Sequence, residues 1–186
     1  MNYYLLEQDL RIPNIATVGD VPENIEPLDW MRGQRLPAPG PGPLRLMLSS
    51  MSGEEPTDII GSLLTLFSDD LKGALTQFGI DNIDYFPVEL QHPLTHEVWR
   101  GYWLANIIGL VACLDVSRSV ILPRPSGARG HLRSFYVDPD RAGDRRIFRL
   151  AEDPTLIILR EDVRRHLQSL PLGGVRMRHT KSYGGP

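Results

Sequence analysis

His92 and His96 stand four residues apart, the spacing that sets two imidazoles on one face of a helix, where a metal ion can be held. Pro93 lies between them and breaks such a helix, and no glutamate follows His92 as a metalloprotease motif requires. Glu97, beside His96, reads as part of an exposed turn. The other histidines, His131, His166 and His179, are scattered. Neighbouring acids occur at Glu54 and Glu55, Asp69 and Asp70, Asp138 and Asp140, and Glu161 and Asp162. Paired carboxylates can do general acid and base work, but these fall in expected loops and helix surfaces, where adjacent charges are normally solvated. Glu161 and Asp162 also suit the start of a helix. Cys113 is the single cysteine and sits between Ala112 and Leu114 in an apolar run, which reads as buried and inert rather than nucleophilic.

Anion-binding chemistry is no better marked. PAPGPGP has closely spaced glycines, yet its prolines remove the amide donors that a phosphate cradle needs. PSGARGHLR, Pro125 to Arg133, combines glycines, two arginines and a histidine, and a hairpin turn explains it more simply than an anion loop. The arginines 124, 129, 133, 145, 146 and 149 are diluted by Asp138, Asp140 and Asp144, so the chain does not read as a nucleic-acid binder. No catalytic set, metal or cofactor is nominated.

The elements that would position a site follow from length and pattern. The chain has 186 residues, 41% of them hydrophobic and 23% charged, which fits one soluble domain with a sizeable core. Its formal charge of −3 hides an asymmetry. Residues 1–60 carry nine acids and four bases, residues 61–123 seven and three, and residues 124–186 seven and thirteen. Such polarity serves a charged partner, or is solvated surface in a fold that interleaves the regions.

YYLLEQDLRI begins as a strand. The stretch 13–43 holds prolines at 13, 22, 27, 37, 39, 41 and 43 and is expected as an extended arm lying on the surface, anchored by Ile25, Leu28, Trp30 and Met31. LRLMLSS alternates as a strand with one buried face. DIIGSLLTLFSDDLKGALTQFGI predicts one long helix, with Ile60, Leu63, Leu64, Phe67, Leu71, Ala74, Leu75 and Phe78 as a continuous stripe and Gly79 as its C-terminal stop. Asp69, Asp70 and Lys72 then fall on its solvated face. IDNIDYFPVELQHP predicts a strand whose Pro87 marks an edge or a bulge. Further strands are expected near 119–123, 131–138, 146–150 and 155–159, then a helix over EDVRRHLQSL with Val163, Leu167 and Leu170 on one face. VRMRHTKSYGGP alternates at first and loosens over 179–186 into a tail. The whole predicts an α+β single domain, 1–186, with a mixed or antiparallel sheet and two main helices.

GYWLANIIGLVACLD, Gly101 to Asp115, is too short an apolar run for a bilayer-spanning helix, which needs roughly 20 residues. The run fits a short buried helix or a buried strand, since periodicity does not separate the two; two glycines and the β-branched Ile107, Ile108 and Val111 pull towards strand, and a buried Asn106 must find a partner. The opening MNYYLLEQDLRIP does not read as a secretory leader, so a cytoplasmic location is expected.

The ordered set YYLL, DNIDYFPVEL, GYWLANIIGLVACLD and FRLAEDPTLIILRED resembles the immunity proteins of bacterial polymorphic toxin systems, in the group first described from a myxobacterial immunity gene. The resemblance runs from Tyr3 to about Leu167 and rests on apolar, non-catalytic pieces. It implies a cytoplasmic protein without enzyme activity that neutralises a cognate toxin by binding it, with Tyr102, Trp103 and Asn106 as scaffold. Loops and arm are then the candidate contacts: Asp20, Glu23, Glu26, Asp29, Trp30, Glu54, Glu55 and Asp58, a suitable counter-surface if the toxin is a basic nuclease. The rival reading is a small-molecule pocket near Trp99, Tyr102 and Trp103, or an enzyme with a scattered site.

Overall fold

The computed structural model describes every residue except Ser62, residues 124–130 and Pro186. In chain order the strands are β1 (Tyr3–Gln8), β2 (Leu44–Met47), β3 (Ile59–Gly61), β4 (Thr65–Ser68), β5 (Ile83–Gln91), β6 (Val98–Ile107), β7 (Leu110–Val111), β8 (Val120–Leu122), β9 (His131–Ser134), β10 (Ile147–Leu150), β11 (Asp153–Arg160) and β12 (Val175–His179). The helices are α1 (Asp69–Gln77), α2 (Pro139–Ala142) and α3 (Glu161–Gln168). The architecture is α+β in a single domain, as the sequence predicts.

One five-stranded sheet runs β12-β1-β11-β10-β7, and a second runs β2-β5-β6-β4-β3. Each is antiparallel except for one parallel pair, β10 with β7 and β2 with β5, so both are mixed. A small β8-β9 ribbon stands beside them. The first sheet joins the two ends of the chain, since β1 pairs with both β11 and β12.

Both faces of each five-stranded sheet are covered, as strands apolar on both faces require. Tyr4, Leu6, Ile147, Ile157 and Leu159 of the first sheet meet Phe67, Ile83, Ala105 and Ile107 of the second, together with α1 and α3. The opposite face of the first sheet, with Leu5, Phe148, Leu150 and Ile158, packs on Leu132, Phe135, Val137 and Ala142. The opposite face of the second sheet, with Leu46, Val88, Leu90, Tyr102 and Leu104, packs on Ala16, Val18, Ile25 and Trp30. Residues 13–43 thus bury apolar side chains against a sheet while forming only isolated bridges and one 3-10 turn, Asp29–Met31.

The long helix expected over 58–80 is not formed. Its first half is the hairpin β3-β4, with Ile59 opposite Phe67 and Ile60 opposite Leu66, and only 69–77 is helical. Residues recurring every three or four positions also alternate adequately in two short strands. Ser68 marks the switch: its Oγ accepts from the Leu71 amide at 3.1 Å and caps α1. Gly79 does stop the helix, at φ +76°. Asp69 and Lys72 are not idle surface charges either. Trp103 Nε1 donates to Asp69 Oδ1 at 2.6 Å, and Lys72 Nζ lies 3.0 Å from the Trp103 ring centroid.

Gly101 to Asp115 is strand-like: β6 runs through it and β7 follows. Gly101, at φ +80°, sits in a bulge, because Tyr102 faces Val88 while Trp99 faces Leu90. Pro87 is tolerated in β5 because β2 pairs only from Val88 onward, which leaves that side of Pro87 without a ladder. The C-terminal stretch is not loose through Tyr183. Thr180 and Tyr183 are buried, and the Tyr183 ring meets Phe135 edge-on at 5.8 Å. An aromatic side chain outweighed the polar composition around it.

Candidate functional site

The groups that first suggest chemistry are absorbed by structure. His92 accepts the Leu94 and Thr95 amides on Nδ1, shaping the β5-β6 turn, and His96 takes φ +58° there. His166 stacks on Phe78 and lies within hydrogen-bond distance of the Ala74 carbonyl. Among the described residues no group of three or more His, Cys, Asp or Glu is placed to hold a metal. Cys113 is fully buried, and burial pushes its thiol up to about 12, so it carries no thiolate at neutral pH. Arg124, Arg129 and most of the PSGARGHLR loop lie outside the described residues.

Trp99, Tyr102 and Trp103 do not share a pocket. Trp99 packs at the edge of the core on the 13–43 side, and Tyr102 donates its hydroxyl to the Thr57 carbonyl at 3.0 Å. Trp103 points to the other face of β6, held by Asp69 and Lys72.

A different feature emerges from the layer that covers the second sheet. Residues 14–19 and 47–55 are zipped together: the Ala16 amide donates to the Glu55 carbonyl, Glu55 to Asn14, Gly53 to Ile15, Ser49 to Thr17 and Gly19 to Met47, all at 2.8 to 3.0 Å. Gly53 is obligatory there, since a Cβ would stand 1.8 Å from the Asn14 carbonyl oxygen. Ala16, Val18, Ile25 and Trp30 point inward and leave the acids outward. Asp20, Glu23, Glu26, Glu54 and Glu55 are exposed.

The charge balance of this layer is distinctive. All three arginines between residues 13 and 58 are engaged: Arg32 with Asp29 at 3.3 Å, Arg35 with Asp84, and Arg45 with Glu89 at 3.5 Å. No cation among the described residues forms an ion pair with Asp20, Glu23, Glu26, Glu54 or Glu55. Elsewhere several acids are spent internally. Asp162 binds Arg160 and Arg146, Glu161 binds Arg164, Glu7 binds Arg176 and Arg178, and Asp138 binds Arg141. Five exposed acids without an ion pair, Asp20, Glu23, Glu26, Glu54 and Glu55, therefore belong to one cover layer, which also presents Met51 at 92% exposure and Leu28 at 63%.

Three of the acids and aromatics predicted for contact have other employment. Trp30 is buried at 5% exposure and meets Phe86 edge-on at 5.4 Å. Asp58 takes the Gly173 amide at 2.6 Å and the Ser68 hydroxyl, tying the layer to α1 and the 171–174 turn. Asp29 is half-buried and ion-paired. Composition identifies acids but does not show which ones a neighbouring base already neutralises; only Arg32, three residues from Asp29, gave a local signal.

The two five-stranded sheets are thus covered on both faces, and one of the covers is rich in exposed acids. A family model described as an immunity protein family (Imm11) matches residues 3–182. The chain belongs to this family. No curated protein matches it. The 3–182 match embraces both sheets and the cover layer alike. No helix among its described residues is long and apolar enough to cross a membrane.

Proposed function

We propose that this immunity-family protein binds a cognate toxin in the cytoplasm and neutralises it by protein-protein contact, without catalysis of its own, through the acidic layer formed by residues 13–30 and 47–58. The observation that carries this reading is that five exposed acids of the layer form no ion pair, while Arg32, Arg35 and Arg45 of the intervening stretch are already paired with other acids. A surface of this sign favours a partner with a basic face, such as a nuclease, and accelerates encounter more than it adds affinity. Exposed Met51 and Leu28 supply the apolar contact that a polar rim surrounds in an ordinary interface.

The test has two steps. Co-expression with the toxin encoded beside the gene yields a stoichiometric complex on copurification. The triple variant Asp20→Lys, Glu54→Lys, Glu55→Lys then slows association steeply at low salt and converges on the parent rate at high salt. Identical association rates at all salt concentrations would remove the acidic layer from the interface.

A further inference from the structure

Two short capped turns bring two cations to one tyrosine on the side of the first sheet where its ends meet α2. The first is the 3-10 turn Val116–Arg118. Asp115 fixes it by accepting from the Ser117 hydroxyl at 2.6 Å and the Arg118 amide at 3.3 Å. The second is the 3-10 turn Thr180–Ser182, capped by His179 Nδ1, which accepts from the Lys181 amide at 3.1 Å. Tyr136 lies between them, its backbone tied to the first turn through Ser119 and Asp115. The Arg118 guanidinium carbon stands 4.1 Å and Lys181 Nζ 4.8 Å from the centre of the Tyr136 ring.

These side chains line a cavity of about 270 Å³ with Asn2, Tyr3 and His179. Because Nδ1 of His179 is an acceptor, a neutral imidazole carries its proton on Nε2. The acids around the cavity are already committed. Asp115 serves its own turn and reaches the Arg118 guanidinium only at 3.9 Å. Asp138 caps α2 and pairs with Arg141. Glu161 takes the Tyr4 hydroxyl and Arg164. Among the described residues no carboxylate forms an ion pair with Lys181. Two like charges are therefore held against one pocket by rigid turns, with a single distant counter-ion. An anion is the group such an arrangement lacks, and a tetrahedral oxyanion uses a fork and an ammonium together.

We propose that the cavity bounded by Arg118, Tyr136 and Lys181 is a binding site for a phosphate group, free or as a small monoester. Its face is distinct from the acidic layer, so the site is independent of toxin binding by that layer. The site is also more specific than general basicity: Arg118, whose own acid stands 3.9 Å away, and Lys181 bind the phosphate, whereas Arg11, held by both carboxylate oxygens of Asp9 at 2.7 Å, does not.

The experiment titrates the full chain with inorganic phosphate and, separately, with adenosine 5′-monophosphate, at ionic strength held constant with sodium chloride. Binding is read by calorimetry and by the rise in Tm. The parent protein shows saturable binding, and the double variant Arg118→Gln, Lys181→Gln raises the phosphate Kd about tenfold or more, as expected on losing two charge-assisted contacts. Both substitutions are at exposed side chains, and Arg11→Gln serves as a control that keeps the parent Kd. The variant Arg118→Lys, which retains charge, holds an intermediate Kd. Tighter binding of the nucleotide shows that the rest of the cavity accepts the esterified group; equal binding limits the site to the phosphate itself. Absence of saturable binding to either probe, or an unchanged Kd in the double variant, overturns the proposal.

Discussion

Asn106, fully buried within β6, donates its side-chain amide to the main-chain carbonyl of Gln34 at 2.8 Å, so the middle of the second sheet holds the far end of the 13–43 stretch directly. The same junction is reinforced by Gly109, whose amide donates to the Gly33 carbonyl at 2.9 Å, and by the Arg35 to Asp84 ion pair. Replacing Asn106 by Leu breaks the first of these and leaves the Gln34 carbonyl without its partner. The expected loss is about 1 to 2 kcal/mol in urea unfolding, with faster amide exchange over residues 31–36 than elsewhere. Unchanged exchange at 31–36 would mean that the junction is held by its other contacts alone.

Gly33 is the tightest point of that junction. Its φ is +66°, and an added Cβ would stand 2.5 Å from the Leu110 amide nitrogen. Gly33→Ala therefore meets both a disfavoured backbone region and a collision with rigid backbone, and is expected to lower stability by roughly 2 to 4 kcal/mol. Gly40→Ala, where nothing lies within 4 Å of the added Cβ, is the matched control and stays close to the parent. Thermal unfolding of the two variants side by side measures the difference.

The strands that pair over long distances show where sequence reading stops. Strands near 3–8, 83–91, 101–107, 146–150 and 155–159 are visible as β-rich runs, whereas the start of β6 at Val98 falls in what reads as a charged turn. That β1 joins both β11 and β12 is not visible, since pairing across more than 150 residues leaves no local trace. At 58–68 the apolar spacing suits both a helix and a hairpin, and Leu63 decides against the helix only in retrospect, being 60% exposed where a continuous stripe would bury it. The candidate surface was half legible. Acid-rich composition located Asp20, Glu54 and Glu55, but the engagement of Arg35 by Asp84, 49 residues away, is a product of folding.

Asp162 is one of the acids that link stability to pH. Its hydrogen bonds and charge attraction to Arg160, with Arg146 adding to them, hold its carboxyl at about 2 against an ordinary value of 3.8. A carboxylate with a depressed folded pKa contributes its full stabilisation above the unfolded value and loses it as pH falls through the folded one. The contribution is thus intact above about pH 4 and gone near pH 2. Asp162→Asn removes that dependence: the variant is less stable at neutral pH, and its stability falls less steeply between pH 4 and pH 2. Parallel stability curves for the two proteins across that window would show that Asp162 is not the linked group.

Ser68 joins two roles in one hydroxyl, capping α1 through the Leu71 amide and donating to Asp58. Ser68→Ala is expected to cost about 1 to 2 kcal/mol, the range of a lost N-cap. Ser68→Asp restores the cap but sets a second carboxylate against Asp58, so it recovers little at neutral pH and more in acid, where one of the two is protonated. A full rescue at neutral pH would show the cap to be the whole effect.

Trp30 separates anchoring from recognition within the acidic layer. It is 5% exposed and packed against Phe86, so a toxin docking on the layer does not reach its ring without displacing the chain around it. Trp30→Ala opens a cavity beneath residues 25–31 and is expected to lower stability by about 3 to 5 kcal/mol. It would slow toxin association only as far as it lets Glu23, Glu26 and Asp29 move. Trp30→Phe keeps most of the apolar volume and is expected to restore both stability and association, because an anchor needs bulk rather than the indole itself. If Trp30→Phe folds as well as the parent but binds toxin as poorly as Trp30→Ala, the indole is itself read by the toxin, and the layer must open on binding to present it.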